Sequence, residues 1–217
     1  MNNIDLISKT IFFVKQRLEN AESGHDWSHI ERVYKSALII ADREICDETV
    51  VKLGALLHDI ADSKFHNGDE TIGPKTAREF LDSLNANKDV IDHVVKIIEN
   101  ISYKGGNFEN GFTSIELEIV QDADRLEAMG AIGIARAFHY GGFKNRPLFD
   151  PKIAPKLNMS KEEYKNSKAP TLNHFYEKLL LLKDKMNTET GKKMAIGRHQ
   201  FMVNFLSQFY AEWDAEK

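Results

Sequence analysis

The segment 48–61 (ETVVKLGALLHDIA) restricts the fold more than any other, because apolar residues occupy almost every side of its helical projection. A helix that is apolar all round lies in a protein core or in a membrane. A membrane span needs about 20 apolar residues, and this segment is shorter. We therefore expect a central buried helix, with Asp47 as its N-cap.

Helical periodicity continues through most of the chain, and no segment shows strand-like alternation of any length. A capping-box pattern from Thr113 to Glu116 precedes one of the periodic segments. The predicted fold class is therefore all-α. The further predicted helices span 3–20, 27–44, 74–86, 88–101, 114–128, 131–140, 171–185 and 189–214.

Two stretches interrupt this pattern. Residues 102–113 are rich in glycine and are predicted to form a loop, while residues 141–170 hold four of the five prolines. The longer stretch is either a lid over a site or a mobile insertion, and the sequence leaves both open. We expect one domain over 1–217, with a motif core at 24–140, the lid-like loop and C-terminal helices at 171–214.

The composition excludes several classes of protein. Hydrophobic residues make up 42% of the chain and charged residues 29%, and the formal net charge is -4, which gives no support for a nucleic-acid coat or a membrane-surface protein. The first 20 residues lack the pattern of a secretory signal. Cys46 is the single cysteine, so no internal disulfide or thiolate zinc site forms. These features favour a cytoplasmic protein.

Four residues of metal-ligand type lie on segments that are predicted to be buried: His29, the pair His58-Asp59, and Asp124. A buried charge costs several kcal/mol unless it is paired or bound to a metal. One divalent cation would explain all four residues at once. The alternatives are that His29 is an ordinary core histidine and that a distant arginine pairs with Asp59.

Asp122 and Asp124 compete for the fourth ligand position. Two residues apart on a helix, they point about 200° apart, so one site can hardly use both. Asp124 shares its face with Val120 and is predicted to point inward. Asp122 shares a polar face with Arg125, which predicts a surface or supporting role. Asp124 is therefore the predicted ligand.

These motifs carry a family resemblance. The segments GHDWSHIERV (24–33), LGALLHDIADSKF (53–65) and IVQDADRLEAMGAIGIARAF (119–138) resemble the H…HD…D signature of HD-domain metal-dependent phosphohydrolases. They are most similar to the small stand-alone bacterial members, some of which act on nucleoside triphosphates. The resemblance implies a bundle of about eight to ten helices in which His29, His58, Asp59 and Asp124 hold the metal.

The chain departs from the members of this superfamily that hold two metals, which use extra histidines. His66 and His93 are available, but neither lies in a convincing ligand context, and His93 is predicted to lie on a solvated face. One metal is therefore expected, which disfavours the di-iron oxygenase branch. Mixed imidazole and carboxylate ligands suit manganese first, with iron, cobalt, nickel, zinc or magnesium as alternatives.

Further residues are predicted to act on the substrate. Asp62 lies one helical turn after His58, where a carboxylate could orient or deprotonate the attacking water. The alternative for Asp62 is a residue at the end of the helix that turns toward solvent. Phe201, Phe205, Phe209 and Trp213 step by four along the last helix and are predicted to be core rather than a base-stacking platform. The predicted substrate-binding residues are His25, Lys64, Lys104 and Arg136.

The sequence thus predicts a metal-dependent phosphohydrolase that uses a metal-activated water to cleave a phosphoester or phosphoanhydride bond, with a nucleotide as the favoured substrate. Release of pyrophosphate from a nucleoside triphosphate is one form of this reaction. The alternatives are a non-catalytic nucleotide-binding regulatory protein and a metal-dependent oxygenase. No membrane or nucleic-acid polymer is an expected partner, and the chain is expected to be a monomer or homodimer.

Overall fold

The computed structural model describes residues 3–19, 26–61, 69–101, 111–160, 163 and 166–217. These residues form helices and connecting segments and contain no strand, which confirms the all-α prediction. A 3-10 helix, Leu179–Lys185, lies between the last two α-helices. The α-helices are α1 (Asn3–Arg17), α2 (Trp27–Ala41), α3 (Glu48–Leu57), α4 (Ile72–Ser83), α5 (Lys88–Asn100), α6 (Ile115–Glu127), α7 (Gly130–Phe143), α8 (Asn173–Glu177) and α9 (Glu189–Trp213).

The chain forms two compact units, one up to Asp124 and one from Arg125 onward. A single domain over the whole chain therefore stays a prediction. None of the helices in the described part of the chain is long and apolar enough to cross a membrane.

Helix α3 is the centre of the first unit and packs against α1, α2 and α5. Seven of its ten residues are buried, as its apolar sequence predicts. Gly54 permits close packing at its middle, because an added Cβ would lie 3.3 Å from a methyl group of Ile97 and 3.4 Å from one of Val120. Each fully buried leucine contributes roughly 1.5–3 kcal/mol. The helix therefore fixes the positions of its neighbours.

The ends of the helices agree only partly with the sequence prediction. Asp47 caps α3, since its carboxylate accepts the backbone N–H groups of Thr49 and Val50. However, α3 ends at Leu57, so His58 and Asp59 lie in the turn after the helix and not inside it. At α6 the capping side chain is Ser114, not Thr113, because the Leu117 N–H donates to the Ser114 hydroxyl at 3.1 Å.

In the second unit, α9 packs against α7 and the 3-10 helix. The predicted helix 171–185 is instead the short α8 followed by the 3-10 helix, with a break at Lys178. The predicted aromatic core stripe is wrong at its two ends, because Phe201 and Trp213 are about half exposed. Phe205 and Phe209, in its middle, are partly buried and contact the ring of Phe138. Positions four apart advance by about 400°, so twelve residues rotate a stripe by about 120°. The buried face of α9 carries Ala195, Met202 and Leu206 instead.

Hydrogen bonds connect the two ends of the proline-containing segment to each other. Helix α7 runs to Phe143, three residues beyond its predicted end. The N–H groups of Thr171 and Leu172 donate to the carbonyls of Pro147 and Leu148 at 2.9 and 3.0 Å. Arg146 also donates to the Ser167 carbonyl at 2.7 Å. Whether this segment acts as a lid stays a prediction.

Candidate metal centre

Three of the predicted ligands converge in the first unit. His29, His58 and Asp59 each offer a ligand atom, and these atoms lie within 4.8 Å of one another. His29 comes from the first turn of α2 and the other two follow the end of α3. The two imidazole rings meet edge to face, with centroids 5.4 Å apart. This arrangement gives two nitrogen donors and one carboxylate facing the same point.

The hydrogen bonding of His58 fits a metal ligand. Its Nδ1 lies 2.9 Å from the Ala55 carbonyl oxygen, so Nδ1 donates there and would carry the single ring hydrogen of a neutral imidazole. That tautomer leaves a lone pair on Nε2, which is buried and has no hydrogen-bond partner among the described residues. A histidine that binds a metal through one nitrogen commonly donates the other N–H to a carbonyl. The unpartnered Nε2 is therefore placed to coordinate a cation.

A second carboxylate, Asp124, lies beside the two histidines but is not part of the three-residue cluster. Its Oδ1 lies 3.6 Å from the Nε2 of His29 and 3.8 Å from the Nε2 of His58. A carboxylate oxygen opposite an imidazole lone pair is repulsive unless a proton or cation lies between them. Two neutral imidazoles and two carboxylates carry a charge that balances a divalent cation. The donor set therefore fits such an ion.

Helix α2 holds His29 in place through its N-terminal cap. The carboxylate of Asp26 accepts the backbone N–H of His29 at 3.0 Å, which fixes the first turn of the helix. His29 itself is only 2% exposed. Asp26 is a supporting residue absent from the predicted site, although an aspartate directly before an amphipathic segment is a recognisable capping signal.

The two competing aspartates differ from the prediction in their burial. Asp122 is fully buried, whereas it was expected on a polar or surface face. The side chain of Asp124, which lies beside the histidines, is 41% exposed. The reason is that α6 is buried on more than one side, with Leu117, Ile119, Ala123 and Leu126 all in the core. A helical projection with two buried faces does not separate an inward from an outward aspartate.

Asp59 is also more exposed than expected. It was predicted to be a fully buried carboxylate inside a helix, but it is partly exposed in the turn that follows α3. The desolvation cost of the Asp59 carboxylate is therefore smaller than the sequence predicts, and it is weaker evidence for a bound metal. The two buried histidines point to a metal more strongly than Asp59 does.

Comparison with known proteins places the chain in a family. A model of the HD domain matches residues 26–129. YpgQ from Bacillus subtilis (strain 168) is 37% identical over 204 residues, which cover 90% of this chain and 88% of YpgQ. The chain belongs to the HD-domain family. Proteins of this family bind divalent metals, and the His29, His58 and Asp59 cluster lies within the matched region.

Solved structures support the same assignment. An HD-superfamily hydrolase from Bacillus thuringiensis has 44% sequence identity and a TM-score of 0.80, with 99% of this chain and 100% of that chain covered. The crystal structure of Bacillus subtilis YpgQ in complex with ADP has 32% identity and a TM-score of 0.77, with 98% and 97% covered. The chain therefore has the fold of the HD-superfamily hydrolases.

Most of the predicted catalytic and substrate-binding residues of this HD protein lie outside the described residues, namely His25, Asp62, Lys64 and Lys104. Arg136 is described and lies on α7. Its guanidinium is 3.3 Å from the carboxylate of Glu127, which is almost fully buried. The contact of Arg136 with a substrate phosphate stays a prediction.

The remaining predicted metal-type residues do not join the cluster. His93 is half-buried rather than solvated: its Nε2 lies 2.9 Å from the Ser114 hydroxyl and 3.4 Å from the Glu116 carboxylate. It also packs edge-on against Phe112. The sequence did not predict this contact, because the three partners come from parts of the chain about 20 residues away. His66 lies outside the described residues.

Proposed function

We propose that this HD-domain protein is a metal-dependent phosphohydrolase that cleaves a phosphoanhydride or phosphoester bond of a nucleotide. The observation that carries the proposal is the buried, unpartnered Nε2 of His58, which faces the Asp124 carboxylate beside His29 and Asp59. The nucleotide class is supported by YpgQ, which has been crystallised with ADP. Release of pyrophosphate from a nucleoside triphosphate is one form of the proposed reaction.

The residues proposed to hold one metal ion are His29, His58, Asp59 and Asp124. Their mixed nitrogen and oxygen donors favour manganese over calcium. When bound, a divalent cation polarises a phosphoryl oxygen and lowers the pKa of a coordinated water. The four residues would hold the cation in position. The Ala55 carbonyl orients the His58 ring, and the Asp26 cap fixes His29.

Other residues of the chain are proposed to handle charge and protons. A polyphosphate substrate brings several negative charges to a site whose own donors only balance the cation, so additional cations are required. Arg136 is proposed to contact a phosphate, and Glu127 orients its guanidinium. Lys64, Lys104 and His25 are proposed to add phosphate contacts, and Asp62 to accept the proton of the attacking water.

The test is a product assay over a panel of nucleoside mono-, di- and triphosphates with added manganese. We expect product release by the parent protein and a loss of at least about a hundredfold in His58→Ala and in Asp124→Asn, because each change removes a metal ligand. The control is His139→Ala, which removes an exposed histidine from α7 and should leave the rate unchanged. Equal rates in parent and His58→Ala would show that the proposed site is wrong.

The same experiment separates the alternatives. A regulatory nucleotide-binding protein, which the ADP complex of YpgQ also supports, would bind nucleotide without turnover. A metal-dependent oxygenase would carry two irons per chain. About one manganese per chain together with release of phosphate or pyrophosphate supports the hydrolase. Cytoplasmic location and a monomer or homodimer remain part of this proposal.

A further inference from the structure

Glu116 is a buried carboxylate at the start of α6 that the proposed chemistry does not use. It is 7% exposed, and its Oε1 accepts the backbone N–H of Asp47 at 2.9 Å. Its Oε2 lies 3.4 Å from the Nε2 of His93. Asp47 is the N-cap of α3, and His93 lies on α5. One carboxylate therefore connects α6 to the N-terminus of α3 and to α5.

Helices α3 and α6 also meet at the candidate metal centre. His58 follows the C-terminus of α3, and its Nε2 lies 3.8 Å from Asp124 near the C-terminus of α6. Between these ends, Gly54 leaves space for the side chain of Val120. Since the N-terminal ends and the C-terminal ends both meet, α3 and α6 run in the same direction.

The contacts on α6 follow one helical face. Glu116, Val120 and Asp124 are four residues apart, and residues at this spacing lie on the same side of a helix. On α3, Asp47 lies directly before the first residue and His58 directly after the last. A shift of α6 along its own axis would therefore change the Glu116 contact and the position of Asp124 together. Each residue of shift moves a helix by about 1.5 Å.

We propose that Glu116 is a positioning residue for the metal centre, because it fixes the axial register of α6 against α3 and so sets Asp124 opposite His58. This inference rests on the proposed metal site. This positioning role depends on the length of the Glu116 side chain, which reaches the Asp47 N–H, and not on its negative charge. Ser114 assists, since its hydroxyl caps α6 and contacts His93.

Two variants separate length from charge. Glu116→Gln keeps the length and the acceptor oxygen, so the bond to Asp47 remains and manganese affinity should stay close to that of the parent. Glu116→Asp keeps the charge but shortens the side chain by about 1.5 Å, so the bond requires a movement of α6. We expect Glu116→Asp to weaken manganese binding on the order of tenfold, as do changes that displace a metal ligand.

The measurement is manganese affinity of the purified full chain, by calorimetry or by the electron paramagnetic resonance of free manganese. Leu81→Ala serves as the control for loss of stability alone. Leu81 is fully buried on α4, which makes none of these contacts, so this variant should melt at a lower temperature and bind manganese like the parent. Weak binding by Leu81→Ala at a matched stability would show that Glu116 has only a structural role.

The outcomes distinguish this inference from the proposed function. Weak binding by Glu116→Gln with normal binding by Glu116→Asp would mean that charge matters and length does not, and would overturn the inference. Normal binding by both variants would overturn it as well. If the parent binds manganese but hydrolyses no nucleotide, the proposed reaction fails while the affinities still decide the role of Glu116. A parent that binds no manganese overturns both.

Discussion

At the scale of single residues, His58 makes the strongest case for a ligand. A buried polar atom that lacks a partner costs about 1–3 kcal/mol. The Nε2 of His58 is such an atom, although the Nδ1 of the same ring is well bonded to Ala55. A cation bound only by the folded protein would remove this cost and add its own binding free energy.

We therefore predict that manganese raises the melting temperature of the parent protein. At a concentration of about 100 times Kd, binding adds about 2.7 kcal/mol to the free energy of unfolding. In a chain of this size that corresponds to a rise of roughly 5–10 °C. His58→Ala should lose most of the rise, and His139→Ala should keep it. Calorimetry over a manganese titration measures the effect, and an equal rise in His58→Ala contradicts it.

The residues of the candidate centre were partly accessible from sequence. The types of His29 and His58 and their places in apolar segments predicted that they would converge. The burial of Asp59 and Asp122 was not accessible. The burial of Asp59 depends on where α3 ends, and the burial of Asp122 depends on which sides of α6 are covered. Contacts with distant segments of the chain set both.

At the scale of the helices, Gly54 sets the distance between α3 and its neighbours. A valine at this position would press against Ile97 and Val120, where even a Cβ lies at 3.3–3.4 Å. We expect Gly54→Val to lower the free energy of unfolding by about 1–3 kcal/mol, as overpacked cores do. Urea denaturation measures this change.

The matched substitution is Gly142→Val on α7. A Cβ at Gly142 would meet nothing within 4 Å, so the same change in helix propensity occurs without overpacking. We expect Gly142→Val to leave the stability unchanged or slightly higher. Equal losses in the two variants would mean that the space around Gly54 does not limit the packing of α3.

Helix positions were largely predictable, and helix ends and unusual turns were not. Hydrophobic patterning located α1 to α7 and α9, because most of these helices bury one side against a neighbour and α3 is apolar almost all round. The run of four leucines at 179–182 shows no period, and it forms a 3-10 helix instead of the predicted α-helix. The stripe from Phe201 to Trp213 followed a spacing of four, which drifts away from the buried face over several turns.

At the scale of the whole molecule, pH acts on the second unit through His174. Burial lowers the pKa of His174 to about 3, and Lys178 and Arg146 lower it in the same direction. In the unfolded chain a histidine has a pKa of about 6.5. Between these two values the unfolded chain binds more protons than the folded one, so the free energy of unfolding rises with pH. This contribution is complete above about pH 6.5 and is lost as the pH falls toward 3.

Manganese and pH together test whether the chain unfolds as a single domain. The proposed metal ligands lie at or before Asp124, whereas His174 lies in the second unit. If the chain is one cooperative domain, calorimetry shows one transition that manganese raises and that lower pH reduces. His174→Gln should then weaken the pH dependence of that transition by up to about 1.4 kcal/mol per pH unit, whereas His139→Gln should not. Two transitions, one responding only to manganese and the other only to His174→Gln, would contradict the single-domain prediction.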